Sequence, residues 1–198
     1  MPDILPIPNR RNNMMLFREA SKFRAFDEFP VLRPEVDPQL HVSRNDHAQP
    51  FFLTLQKDCV LISAAGEAAL ILKHEEVNRY NLVPGDFVYL PGGTPHRLIP
   101  HDTSLTLRYK AQDPGLEAIS WYCDACGALL DEFTWHSSVL FAQEGYDQGI
   151  NRFNQDDDRR RCNHCAVVAP VIDTSRYRWS DIAQSLRSEQ EAAPEEIK

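Results

Sequence analysis

Four of the five cysteines form two Cys-x-x-Cys pairs, and no other feature of the sequence constrains the fold as strongly. Such a turn points two thiolates to one side, and two turns complete a tetrahedral metal site with metal–sulfur distances of about 2.3 Å. In a reducing compartment the pattern is typical of a metal site rather than of disulfides. The predicted ligands of one Zn²⁺ or Fe ion are Cys123, Cys126, Cys162 and Cys165. His164 is a less favoured substitute. Because sulfur fills all four positions, the ion is expected to stabilise a small subdomain.

The 198 residues are 42% hydrophobic and 25% charged, which predicts the packed core of one ordinary domain with a small appendage. With 21 Lys and Arg against 29 Asp and Glu, the formal charge of −8 argues against a nucleic-acid partner, which would require a basic surface. No apolar run approaches the roughly 18 residues of a membrane span, and residues 1–11 lack the apolar stretch of a signal peptide. We expect a cytoplasmic protein with no membrane partner.

Changes in composition along the chain predict four segments. A proline-rich flexible arm covers residues 1–13, and a barrel covers residues 14–114. A cysteine-bearing subdomain packed on the barrel covers residues 115–170, and a helix with an acidic tail covers residues 171–198.

Local patterns predict two helices and one loop. Apolar residues at spacings of three and four predict an amphipathic helix from Met14 to Phe26 and another around residues 179–186. In the tract Asp156–Arg161, three acids precede three arginines, which favours a solvated, self-compensating loop.

Between residues 39 and 110 the sequence is predicted to be all β. Short runs of about five apolar or β-branched residues alternate with Gly, Pro and Asp turns, a pattern typical of a sandwich or barrel. The predicted strands are Leu40–Val42, Phe51–Leu55, Cys59–Ala64, Ala68–Lys73, Phe87–Leu90 and Ser104–Tyr109.

The stretch Pro84–His96 contains a turn, a strand, a Gly/Pro corner and a histidine that begins the next strand. It resembles the second sequence motif of cupins, small β-barrels whose interior histidines often bind a metal. Together with three further stretches, it makes the chain resemble 3-hydroxyanthranilate 3,4-dioxygenase, a cupin with a C-terminal rubredoxin-like metal site. Those stretches are Leu32–Val36, Trp121–Gly127 and Arg160–Cys165. The resemblance spans residues 31–168. It implies a mainly β fold, a cupin (double-stranded β-helix, or jelly-roll) barrel with a short N-terminal helix and a small C-terminal metal-binding subdomain.

The resemblance also implies an activity, which the residues at the matching positions call into question. The family is a homodimer with a mononuclear Fe²⁺ site of two His and one Glu, which activates O₂ and opens an aromatic ring. His96 matches one ligand. Counting back from Gly66 places Leu53 and Cys59 at the other two, and a gapped reading fits better still, in which a deletion near residues 57–58 removes the His-bearing loop. Barrel Fe²⁺ is therefore expected to be absent or weakly bound.

The polar groups that hold the family's substrate differ as well. One substrate-binding arginine corresponds to Pro100, and the acid on the following strand corresponds to Tyr109. Tyr109 shares the strand parity of Leu105 and Leu107, the face predicted to point into the barrel, whereas Arg108 is predicted to point outward. The candidate catalytic residues are His96, Cys59 and Tyr109.

Three functions remain open. The first is a diverged cupin that binds or transforms a small aromatic or carboxylated molecule in the barrel without iron. The second is an active Fe(II)-dependent ring-cleaving dioxygenase, whose rearranged metal site would join His96 with His47 from a loop that folds inward. The third is a non-catalytic structural or partner subunit. If the chain is an enzyme, it is either a dioxygenase-family oxidoreductase or a metal-free cupin enzyme.

Overall fold

A computed structural model of the chain describes residues 13–192, so the predicted flexible arm lies outside the described residues except for Asn13. The strands are β1 Phe29–Pro30, β2 Gln39–Asn45, β3 Phe52–Leu55, β4 Cys59–Ala65, β5 Ala68–Leu72, β6 Arg79–Leu82, β7 Phe87–Leu90, β8 His96–Pro100, β9 Ser104–Lys110, β10 Leu116–Tyr122 and β11 Leu129–His136. The helices are α1 Leu16–Glu19, α2 Ala142–Gln155, α3 Asp157–Arg160 and α4 Trp179–Ala192. Within residues 13–192, no helix is both long and apolar enough to cross a bilayer.

The strands form two antiparallel sheets that face each other. One sheet has the order β1-β2-β9-β4-β7, and the other has the order β11-β10-β3-β8-β5-β6. Successive strands such as β3 and β4 belong to opposite sheets and are joined by only residues 56–58, which brings the two sheets over one interior. All six predicted strands are present with small changes at their ends, so the predicted mainly β barrel is confirmed.

The hairpin β10–β11 extends the six-stranded sheet and carries the first cysteine pair in its turn. Ile119 of β10 pairs with Leu53 of β3 on one side and with Phe133 of β11 on the other. Helix α2 lies against this hairpin, and Gly145 allows the close approach, because a Cβ there would come within 2.3 Å of the ring of Trp135. The cysteine-bearing segment therefore shares a sheet with the barrel.

Two local predictions need correction. The N-terminal helix ends early: α1 passes into a 3-10 turn at Ala20–Lys22, and the backbone is left-handed at Phe26 with φ of 54°. Asn45 Oδ1 accepts the Phe26 amide at 2.9 Å, which shows that tertiary hydrogen bonds replace the helical ones there. The Asp156–Arg161 tract contains the one-turn helix α3 rather than a loop, since its acids and arginines pair at the helical spacing of three.

Helix α4 is confirmed, and a buried ion pair fixes its start. Arg178 Nη2 lies 2.5 Å from Asp27 Oδ2, with side chains 6% and 1% exposed. Trp179 Nε1 donates to Phe26 O at 2.8 Å. Burial raises the pKa of Asp27, and the bonds from Arg178 oppose that rise. The C-terminal helix is thus tied to the segment that precedes β1.

Replacing Arg178 with alanine should lower the free energy of unfolding by about 3–5 kcal/mol, because Asp27 would remain buried without its partner. Arg176→Ala is the matched control: its side chain is 62% exposed and lies 4.0 Å from Asp173, so its loss should cost less than about 1 kcal/mol. Urea denaturation of both variants measures the difference. Equal stability of the two variants would contradict this role for Arg178.

Candidate functional site

The four predicted cysteine ligands come together from two distant parts of the chain. The Sγ atoms of Cys123 and Cys165 lie 3.5 Å apart, and those of Cys126 and Cys162 lie 3.4 Å apart. All four sulfurs lie within 4.8 Å of one another. A tetrahedral ion with bonds of about 2.3 Å needs sulfurs about 3.8 Å apart, so the donor set fits Zn²⁺ or Fe.

The two cysteine pairs lie on two separate knuckles that have the same backbone hydrogen-bond pattern. In each pair the amide of the first cysteine donates at 2.8 Å to the carbonyl oxygen of the residue five positions later. The amide of the residue four positions later donates to the carbonyl oxygen of that first cysteine. The residue four positions later has a positive φ, 76° at Gly127 and 60° at Ala166.

Hydrogen bonds from the backbone amides of Cys165 and then His164 lower the pKa of Cys162 to about 6. Against the lowering effect of backbone amides, hydrogen bonds to neighbouring sulfurs raise the pKa of Cys126 and of Cys165, so Cys162 ionises more readily than these two.

His96, which the resemblance predicts to match a ligand of the family, begins β8 and lies inside the barrel with 1% of its surface exposed. Its register partner on β3 is Leu53, which offers no ligand atom. Nδ1 lies 3.0 Å from Thr94 O, which can only accept, so Nδ1 carries the proton. Nε2 lies 2.7 Å from Arg108 Nη1, which can only donate, so Nε2 accepts. Burial, assisted by the charge of Arg108, lowers the pKa of His96 to about 3 and keeps the ring neutral.

Arg108 connects His96 to two further buried groups. Its Nε lies 3.3 and 3.2 Å from the two carboxylate oxygens of Glu28, and its Nη1 lies 3.6 Å from Cys59 Sγ. Burial opposes the charge of Arg108, but Glu28 and then Cys59 raise its pKa above the ordinary value. Burial raises the pKa of Cys59, so the thiol stays protonated and is not an activated nucleophile. Glu28, Cys59, His96 and Arg108 are called the barrel cluster below.

The structure reverses the predicted parity of β9. Arg108 and the buried side chains of Thr106 and Lys110 lie on the inner face, while Leu105 belongs to a second core with residues of β1, β2 and α4. Tyr109 is half-buried and lies on the same face of β9 as Leu105, opposite the face that carries Arg108. The prediction assumed that apolar side chains point inward, whereas here the polar face of the strand lines the interior.

Glu28 is the site residue that the sequence analysis missed. It stands just before β1 with φ of 45°, its amide donates to Ser43 Oγ at 2.8 Å, and its carbonyl accepts from Gln143 Nε2 at 2.8 Å. These bonds turn the carboxylate toward Arg108. The available signal was the pair of acids enclosed by aromatic residues in Phe26–Phe29, since buried acids are almost always paired.

His47 is not brought beside His96. Its Nδ1 lies 2.5 Å from Asp46 Oδ1, and its Nε2 lies 2.9 Å from the hydroxyl of Tyr177. Over residues 13–192, the cysteine cluster is the one set of three or more His, Cys, Asp or Glu side chains whose ligand atoms converge to metal-binding distances.

A cavity of about 200 Å³ lies beside Lys110, two residues after Arg108 on β9. It is called the barrel-end cavity below. Lys110 Nζ lies 2.6 Å from Glu117 Oε1 on β10, so the ion pair crosses from one sheet to the other. Both side chains are more than nine-tenths buried. The remaining wall includes Gln39 of β2, Phe141 before α2, and Leu186 of α4.

Curated relatives of the chain are 3-hydroxyanthranilate 3,4-dioxygenases. The chain is 25% identical over 149 residues to "3-hydroxyanthranilate 3,4-dioxygenase 2" of Aspergillus fumigatus, covering 72% of this chain and 74% of that protein. It is 30% identical over 95 residues to the 3-hydroxyanthranilate 3,4-dioxygenase of Paraburkholderia phytofirmans, covering 46% and 53%. No protein-family model matches the chain.

Similar solved structures include hydroquinone 1,2-dioxygenase from Sphingomonas sp. TTNP3 with 4-hydroxybenzoate bound, at a TM-score of 0.43 and 12% identity over 48% of this chain and 71% of that one. Another is a cupin-2 domain protein from Shewanella frigidimarina, at a TM-score of 0.43 and 13% identity over 50% and 93%.

Two facing antiparallel sheets with His96 between them give this protein a cupin-like fold. The chain is a distant homologue of the 3-hydroxyanthranilate 3,4-dioxygenases, and its four-cysteine cluster is consistent with the C-terminal rubredoxin-like site that the resemblance predicts.

The two knuckles should respond in opposite directions to exchange of glycine and alanine. Ala166→Gly removes a left-handed alanine and should tighten metal retention, whereas Gly127→Ala introduces one and should weaken it, each by about 1 kcal/mol or fivefold. A Cβ at Gly127 would meet nothing within 4 Å, so the substitution reports backbone conformation alone. Competition with a chelator measures both variants, and changes of the same sign would contradict the interpretation.

The buried neutral His96 predicts a loss of stability on acidification. Its pKa is about 3 in the folded chain and about 6.5 in the unfolded chain, so below about pH 6.5 only the unfolded chain takes up this proton. Between pH 7 and pH 5 the wild type should therefore lose about 2 kcal/mol more stability than His96→Gln. His101→Gln, at an exposed position, should match the wild type. Chemical denaturation at both pH values tests this, and parallel losses in wild type and His96→Gln would refute it.

Proposed function

We propose that this chain is a small-molecule-binding cupin, derived from the 3-hydroxyanthranilate 3,4-dioxygenase line, whose barrel does not hold the ring-cleaving iron. The observation that carries the proposal is the 2.7 Å contact between Arg108 Nη1 and His96 Nε2. That contact directs a permanent cation at the one ring nitrogen that could bind a metal.

The residues inside the barrel do not fit the family's iron. Such a site needs two histidines and a carboxylate that leave open positions. His96 has its lone pair engaged, Leu53 has no ligand atom, and the Cys59 thiol is held protonated by burial. The carboxylate of the barrel cluster, Glu28, is bonded to Arg108. Ring opening by the family's route therefore has no support from these side chains.

The four-cysteine cluster does fit a metal, and we assign it a structural role. Cys123, Cys126, Cys162 and Cys165 would hold one Zn²⁺ or Fe ion, which would supply cross-linking and no open position for a substrate. The knuckles join the β10–β11 turn to the segment after α3, so the ion would fix the position of α2 between them.

The barrel-end cavity is the proposed place for the ligand. It lies between the two sheets next to the barrel cluster, and buried polar side chains line it. The homodimer implied by the resemblance stays a prediction, supported by Phe87 and Tyr89, which leave 70% and 55% of their surface exposed on the edge strand β7.

Metal analysis and an activity assay on the full chain test the proposal. The wild type should contain one metal ion per chain, and the double variant Cys123→Ser, Cys162→Ser should contain none. After anaerobic loading with Fe²⁺, neither protein should turn over 3-hydroxyanthranilate when O₂ is added. A second ion lost in His96→Ala, with ring cleavage on the order of 1 s⁻¹ or faster, would establish the active dioxygenase instead.

A further inference from the structure

The barrel-end cavity contains polar atoms whose bonding needs are not met by the protein. Five of its lining side chains are polar and more than nine-tenths buried: Gln39, His41, Lys110, Glu117 and Gln143. Its volume of about 200 Å³ equals that of about seven liquid waters, enough for a molecule of about ten non-hydrogen atoms. Buried polar atoms are nearly always hydrogen-bonded. Polar atoms in a cavity wall that have no partner in the protein therefore indicate which hydrogen-bonding groups a ligand of that cavity would carry.

Two of these side chains present acceptors with no donor among the described residues. Glu117 accepts from Lys110 Nζ through Oε1, while its Oε2 has no partner. Gln39 Oε1 has no partner either. Lys110 is the register partner of Gln39 on the neighbouring strand, so the two acceptors flank the same ion pair.

The orientation of the Gln39 amide follows from its bonds. Its Nε2 donates to Arg33 O at 2.8 Å and to Val36 O at 2.6 Å. Because both partners are carbonyl oxygens, the amide nitrogen must face them and the amide oxygen must be the atom without a partner. The unmet group is therefore an acceptor at Gln39 as well as at Glu117.

The charges of the lining favour a donor and disfavour an anion. Lys110 is the one lysine or arginine of the described lining, and its ammonium group lies against Glu117. Glu189 adds a further carboxylate to the wall. An incoming carboxylate would meet two unpaired acceptors and a cation already engaged, whereas an N–H group would satisfy the acceptors.

We propose that the barrel-end cavity binds a small primary amine or carboxamide, whose N–H groups donate to Glu117 Oε2 and Gln39 Oε1 and whose apolar part packs against Phe141 and Leu186. The assignment deepens the proposed function and rests on it. It departs from the family's carboxylated substrate, because it excludes a carboxylate as the group recognised at this end of the barrel.

Three probes of nearly equal size separate the alternatives: benzylamine, benzamide and benzoate. We expect benzylamine and benzamide to shift the backbone amide NMR signals of Gln39, Lys110 and Glu117 in the full-length protein, with Kd on the order of 1 mM for molecules this small. Benzoate should leave those signals unchanged. Tighter binding of benzoate at these signals, or no shift there with either nitrogen probe, would overturn the assignment.

Variants sharpen the test. Glu117→Gln should weaken benzylamine at least tenfold and benzamide much less, because the variant keeps an acceptor but loses the charge that attracts an ammonium group. Glu67→Gln, which removes an exposed carboxylate outside the cavity, should bind both probes as the wild type does. Equal benzylamine affinity in wild type and Glu117→Gln would overturn the assignment.

If Glu117→Gln does not fold, the wild-type probe series alone decides. Binding of benzoate would refute the ligand class and leave the iron-free barrel intact, whereas barrel iron with ring cleavage would refute the proposed function itself.

Discussion

The arrangement of polar side chains inside the barrel depends on the buried guanidinium of Arg108. It lies between the two sheets and bonds three groups from separate parts of the chain: Glu28 before β1, Cys59 at the start of β4, and His96 at the start of β8. Removing a charge of this kind from water costs several kcal/mol unless a counter-ion and hydrogen bonds replace the solvent. Glu28 supplies the counter-ion, and the neutral imidazole supplies an acceptor. The position of the N-terminal segment is therefore a condition for burying Arg108.

A second buried cation on β9, two residues after Arg108, is also paired with a carboxylate. Lys110 and Glu117 form a second buried pair between the sheets, so these two pairs together bring two cations and two carboxylates into the interior without adding net charge. The two pairs are not equivalent. Both oxygens of Glu28 face Arg108, whereas one oxygen of Glu117 has no partner among the described residues. In the Glu28–Arg108 pair every carboxylate oxygen is therefore bonded. In the Lys110–Glu117 pair, Glu117 Oε2 could still accept a hydrogen bond from a ligand.

How far the sequence could predict this site depended on how local each feature is. The cysteine cluster was predictable, because two Cys-x-x-Cys turns define their own geometry and need only meet. The strands were predictable from short apolar runs and turn residues. The inward face of β9 was not, since apolar residues alternate with Thr106, Arg108 and Lys110, and periodicity alone does not show which face is inside. For Glu28 the sequence offered a signal of a buried acid in Phe26–Phe29, but not its role, because that role depends on a partner 80 residues away.

A guanidinium and a metal ion both place positive charge in a barrel, but they differ in the binding positions that they leave open. An iron site that activates O₂ binds through some positions and keeps others free for substrate and O₂. The guanidinium offers five N–H donors in a fixed plane and no vacant orbital. Under the proposed function, Arg108 against His96 supplies the barrel centre with a cation that holds its neighbours in place of a metal that could bind O₂. The proposed ligand site is then the wall formed by Gln39, Lys110 and Glu117, where Gln39 Oε1 and Glu117 Oε2 have no partner among the described residues. The four cysteines lie on knuckles outside the barrel cluster, so the metal proposed for them does not depend on whether the barrel holds iron.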